Sequence, residues 1–109
     1  NPGFVVPENM TLKEIAFYFT ANQTGTYYMQ LMKSSGIDWD GSATGHSMST
    51  LSSTLSAVVG TASRSYKMQT TGLSLSCTEG QIIIPYWWTT SSSSYNYARG
   101  SFILTFELS

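Results

Sequence analysis

The stretch SFILTFEL, Ser101 to Leu108, alternates apolar and polar side chains almost without a break. Phe102, Leu104, Phe106 and Leu108 fall on one side of an extended chain, and Thr105 and Glu107 fall on the other. A period of two belongs to a pleated strand with one face in a core. TLKEIAFYFT, Thr11 to Thr20, repeats the pattern with Ile15, Phe17 and Phe19 on one face. After the turn residues Asn22 to Gly25, Thr26 to Lys33 returns with Tyr27, Met29 and Leu31 in phase. The two segments read as a hairpin.

Working outward, Ser63 to Gln69 and Leu73 to Cys77 read as two further strands, the second with Leu73, Leu75 and Cys77 pointing one way. Glu79-Gly80 turns the chain into Gln81 to Thr89, a strand that Pro85 pushes to a sheet border or a bend. Thr50 to Val59 spaces Leu51, Leu55 and Val58 as a helix would, but its Ser and Thr residues are weak helix formers, so it reads as extended. Ser34 to Ser49 reads as a long loop with Trp39 its one large residue, and Ser91 to Gly100 contains a second loop. About eight short antiparallel strands separated by turn residues predict an all-β, jelly-roll-like β-sandwich. The 109 residues suit one domain covering the whole chain, 1–109. A start at Asn1 rather than Met reads as a piece of something longer.

Composition narrows the function classes. Charged residues are 10% of the chain, against roughly 25% in ordinary domains. Ser and Thr supply the polarity instead, at about 30%. A 41% apolar fraction with 14% aromatics argues for a folded chain. A net charge of −1 with scattered basic residues argues against a nucleic-acid partner or a basic membrane-binding stripe. The apolar run Ile82 to Trp88 is far shorter than the roughly 20 residues of a membrane-spanning helix. With Cys77 as the single cysteine, no internal disulfide forms, and stability must come from packing or oligomerisation.

No residue pattern points to catalysis. His46, with Asp38 and Asp40 nearby in sequence, sits among small loop residues without a nucleophile elbow, so exposure to solvent is its expected state. Asp38-Trp39-Asp40-Gly41 has the start of a calcium loop but lacks its later ligands, and turn capping explains it as well. No metal or cofactor is expected. Cys77, in phase with Leu73 and Leu75, reads as a buried thiol. The Asn9 and Asn22 sequons are common by chance in a Ser/Thr-rich chain.

Aromatic residues carry the binding signal. Trp87 and Trp88 are adjacent, so on a strand one enters the core and the other meets solvent or a partner. Tyr95, Asn96, Tyr97 and Arg99 follow, and with Trp39 they make an adaptable recognition surface on which a sugar could stack. Packing under the loop or against a neighbouring subunit is the competing role for these rings. A second signal is apolar surface on both faces of several strands. Tyr18 and Ala16 oppose Ile15, Phe17 and Phe19, while Tyr28 and Met32 oppose Met29 and Leu31. A sandwich needs only one apolar face per sheet, which makes Tyr18, Tyr28 and Met32 candidate oligomer contacts.

GFVVPENMTLKEIAFYF (Gly3 to Phe19), YYMQLMK (Tyr27 to Lys33) and EGQIIIPYWWTTSSSSYNYARGSFILTFEL (Glu79 to Leu108) together resemble β-sandwich domains of the structural proteins of tailed phages. The resemblance lies in strand order and in these phrases, not in a catalytic signature. It implies a virion protein at the outer, extracellular surface of the particle, in a tail fibre, collar or capsid decoration. It further implies a homo-oligomer, most often a trimer, that contacts other virion proteins and in some cases a host-surface glycan. The alternative is a carbohydrate-binding module with an exposed Trp as its platform.

Overall fold

In the computed structural model, residues 4–34, 48–90 and 98–108 are described. They form nine strands: β1 (Phe4–Val5), β2 (Met10–Ala21), β3 (Gly25–Ser34), β4 (Met48–Thr50), β5 (Leu55–Val59), β6 (Ser65–Thr70), β7 (Leu75–Cys77), β8 (Ile82–Thr89) and β9 (Ala98–Leu108). All pairings are antiparallel, and they make the two sheets of a β-sandwich. In sheet A, β3 is central, with β8 and then β1 on one side and β4 and β5 end to end on the other. Sheet B repeats that plan around β2, with β9 on one side and β6 and β7 on the other. The consecutive pair β2–β3 thus lies antiparallel to the consecutive pair β9–β8, a nested, jelly-roll-like winding.

The expected hairpin of β2 with β3 does not form. Residues 22–24 carry the chain from sheet B into sheet A, so the two strands become the central members of opposing sheets. Their apolar faces then meet across the core, with the Phe19 and Tyr27 rings 5.7 Å apart, instead of lying side by side in one sheet. Gly25, at φ 144°, takes a conformation that side chains disfavour, and the Tyr27 hydroxyl donates to the Gln23 carbonyl at 2.8 Å to close the crossing. Face-to-face stacking removes both apolar faces from water at once, which pairing alone cannot do.

Alternation places Phe17, Phe19, Tyr27, Met29 and Leu31 in the core, where each is at most 5% exposed. Leu12 and Ile15 are three residues apart yet both fully buried, which simple alternation forbids. The ladder with β9 slips between Leu12 and Glu14, and this β-bulge restores the phase. Lys13 is the extra residue; its carbonyl accepts from the Leu73 amide at 3.0 Å. On β9, Phe102, Leu104 and Phe106 pack against the core as expected. Leu108 keeps the inward phase but is 66% exposed, because the strand has run to the end of the sandwich by that point.

The single extended segment expected over Thr50 to Val59 is split into β4 and β5, both paired to β3. Ser52 occupies the gap. Its buried Oγ accepts from the Leu31 amide at 3.0 Å and donates to the Ser53 carbonyl at 2.9 Å, while the Leu31 carbonyl accepts from the Leu51 amide at 2.9 Å. The side chain therefore replaces the ladder bond that the break removes. Pro85 lies where β8 has passed β1, which pairs only with Ile82 and Ile83. Its missing N–H costs little at that sheet border.

Candidate functional site

The two outer faces of the sandwich differ sharply, and the difference locates the site. Outward on sheet B, Tyr18 and Ile103 stand among Glu14, Lys67, Gln69 and Thr105. These polar groups serve one another: Gln69 Nε2 donates to Glu14 Oε1 at 2.7 Å, and Lys67 Nζ lies 5.9 Å from the centre of the Tyr18 ring. Such a face is at ease in water.

Sheet A is different. Parity on β8 turns Ile82, Ile84, Tyr86 and Trp88 outward, and the register sets Met32 opposite Ile84 and Tyr28 opposite Trp88. Val58 on β5 continues the surface at 70% exposure. Gln30, Thr26 and Ser56 supply the polar groups between them. Among the described residues no charged side chain points outward from this sheet. An uncharged, largely apolar outer face on an antiparallel sheet is the arrangement found where another surface covers it.

Aromatic rings form its centre. Trp88 stacks on Tyr28 across the strands, with centroids 5.3 Å apart and planes at 17°. Tyr86, two residues back on β8, lies 5.4 Å from Trp88 and is 58% exposed. The adjacent Trp87 is the inward member of the pair; its ring meets Phe17 edge-on at 5.6 Å. The indole of Trp88 is thus packed face to face against the Tyr28 ring. Rigid rings held this way present edges and polar tips, as at protein–protein contacts.

The residues proposed from sequence are divided by the fold. Tyr28, Met32 and Trp88 come together on sheet A, whereas Tyr18 lies on the outer face of sheet B. Arg99 lies at the end of β9, opposite Thr20, and lines a shallow depression with Asn22 and Ser63. Trp39, Tyr95, Asn96 and Tyr97 lie outside the described residues, as do His46, Asp38 and Asp40. Ile82, Ile84, Tyr86 and Val58 belong to the site but were not singled out in the sequence. Their signal was the parity of Trp88: once Trp87 is inward, every second residue back to Ile82 must be outward.

No group of three or more His, Cys, Asp or Glu residues able to hold a metal occurs among the described residues. Cys77 is buried, and that burial raises its thiol pKa; Lys33 and a backbone hydrogen bond from Leu12 oppose the shift only in part. The thiol is therefore held protonated and unreactive. No protein-family model, curated protein or solved structure matches this chain.

Proposed function

We propose that this chain is a binding and assembly module rather than an enzyme, serving as an oligomeric surface, fibre or decoration domain of a tailed-phage virion. The observation that carries the assembly part is the outer face of sheet A, centred on Tyr28, Tyr86 and Trp88 and free of charge among the described residues. Water is a poor partner for that face, and a second copy or another virion protein is a good one. The virion setting rests on the likeness of Gly3–Phe19 and Glu79–Leu108 to phage structural domains. A trimer is the stoichiometry that this likeness favours.

Sedimentation velocity over a range of chain concentrations tests the reading. Association should rise with concentration and weaken on Tyr86→Lys, which places a charge at the centre of the face without touching the core. A chain that stays monomeric throughout, or an assembly indifferent to Tyr86→Lys, overturns it. The exposure of Tyr86 also supports a second reading, in which the ring stacks against a host-surface glycan. Quenching of tryptophan fluorescence by neutral hexoses, abolished by Tyr86→Ser without a change in sedimentation, would favour that reading instead.

A further inference from the structure

We propose that two copies of this chain pack face to face through the outer face of sheet A, about a twofold axis, with sheet B on the outside of each. The pairing rests on the assembly reading above and supplies its partner. The face is exposed from end to end and from border to border. On β1, Val5 stands opposite Ile82 and so points outward. On β4, Met48 stands opposite Ser34, which follows Tyr28 and Met32 outward by parity. Both are exposed, as are Tyr86 near the middle and Val58 at the far end. The face can also be dried. Gln30, its central polar side chain, already donates Nε2 to the Ser52 carbonyl at 2.8 Å, so covering it strands less than a free amide would.

Charge selects the partner. An ion covered by an apolar face loses its water, and only a partner charge offsets that loss. The outer face of sheet B carries Glu14, Lys67 and Glu107, so covering it with sheet A would strand these ions against isoleucine, methionine and tyrosine side chains. A second sheet A face brings no charge among the described residues, and its twist is the same. Of the two outer faces of the sandwich, only sheet A matches sheet A. Closing a ring of three needs two different surfaces on each copy, whereas one face that matches itself closes as a pair about a twofold axis. The size agrees. Three strands abreast at about 4.8 Å, along the 10 residues of β3 at about 3.4 Å each, give about 500 Å² in projection, before the relief of the side chains is counted. That exceeds the roughly 400 Å² per side of most crystal contacts and lies below the roughly 800 Å² of a standard interface, so the pair should form and separate with concentration.

Packed sheets lie about 10 Å apart, so the two outermost sheets of such a pair are separated by three gaps, about 30 Å. Thr105 points outward from sheet B at an exposed position, away from the contact. A nitroxide is placed on Thr105→Cys under native conditions, where the buried Cys77 stays unlabelled. Double electron–electron resonance is then read alongside sedimentation equilibrium. The expected result is a dimer mass, two coupled spins and a separation above about 30 Å, with mass and coupling both lost in the Tyr86→Lys chain. A monomer at every concentration overturns the pairing together with the assembly reading. Association with three coupled spins, or with a separation below about 30 Å, overturns the twofold pairing and leaves the assembly reading standing.

Discussion

Replacing Trp87 and Trp88 by alanine, one at a time, separates the core side of β8 from its assembly side with a minimal change of position. Trp87 faces inward and meets Phe17 edge-on at 5.6 Å. Large-to-small changes of Trp in a core cost about 3–5 kcal/mol, and the partial exposure of Trp87 puts it at the lower end, about 3 kcal/mol. Trp88 rests on Tyr28 at 5.3 Å and beside Tyr86 at 5.4 Å. Each aromatic contact contributes about 0.5–1.5 kcal/mol, and because Trp88 is itself partly exposed the two together fall in the lower part of their combined range, at about 1–2 kcal/mol. At roughly 4 °C per kcal/mol for a domain of this size, Trp87→Ala should lower Tm by about 12 °C and Trp88→Ala by about 4–8 °C. Thermal unfolding followed by circular dichroism, at a concentration where the chain is dilute enough to be monomeric, gives both values. Sedimentation at high concentration should show the reverse ranking, with Trp88→Ala the more damaging to assembly. If Trp88→Ala destabilises the dilute chain as much as Trp87→Ala, the assignment of the two faces of β8 is wrong.

Three further outcomes follow from the packing. Ser52→Ala strands the buried Leu31 amide and should cost about 1–3 kcal/mol in urea unfolding; a change below about 0.5 kcal/mol would show that Ser52 does not bridge β4 and β5. Gly100→Ala places a methyl 2.6 Å from the Tyr18 carbonyl oxygen and 2.7 Å from Phe17 Cζ, so the urea midpoint should fall by the equivalent of about 1–3 kcal/mol; an unchanged midpoint would mean that Phe17 does not lie over Gly100. The buried Cys77 should react slowly with a thiol reagent in the native chain and quickly in urea. Because folding raises its pKa, its contribution to stability is present below the ordinary thiol range and is lost as pH rises through the folded value. Stability at alkaline pH should therefore fall more steeply for the native chain than for Cys77→Ala.

How much of the fold was legible varies by element, and for identifiable reasons. β2, β3 and β9 could be read because each has one face in the core, and burial imposes a period of two that the side chains obey. The same rule was enough to divide Trp87 from Trp88. It was not enough for Lys13, since a bulge is a property of the ladder with β9 and not of the bulged strand alone. Nor did it reveal the break at Ser52, where a single hydroxyl substitutes for a backbone partner. Tyr18 and Tyr28 looked equivalent in sequence, each a tyrosine opposite a buried row. They part company because β2 and β3 lie in different sheets, and only Tyr18 has a lysine across from it.

By itself the sequence determined the strand-forming character of the chain, the residues of its core, and the excess of apolar surface beyond what one core requires. These are local quantities, set by alternation and composition. The tertiary structure alone decided that β2 and β3 cross between sheets and that the excess gathers on the outer face of sheet A. Each of these depends on which strands pair. Pairing is fixed by burying two apolar faces against each other over the whole domain, an energy that no single segment contains.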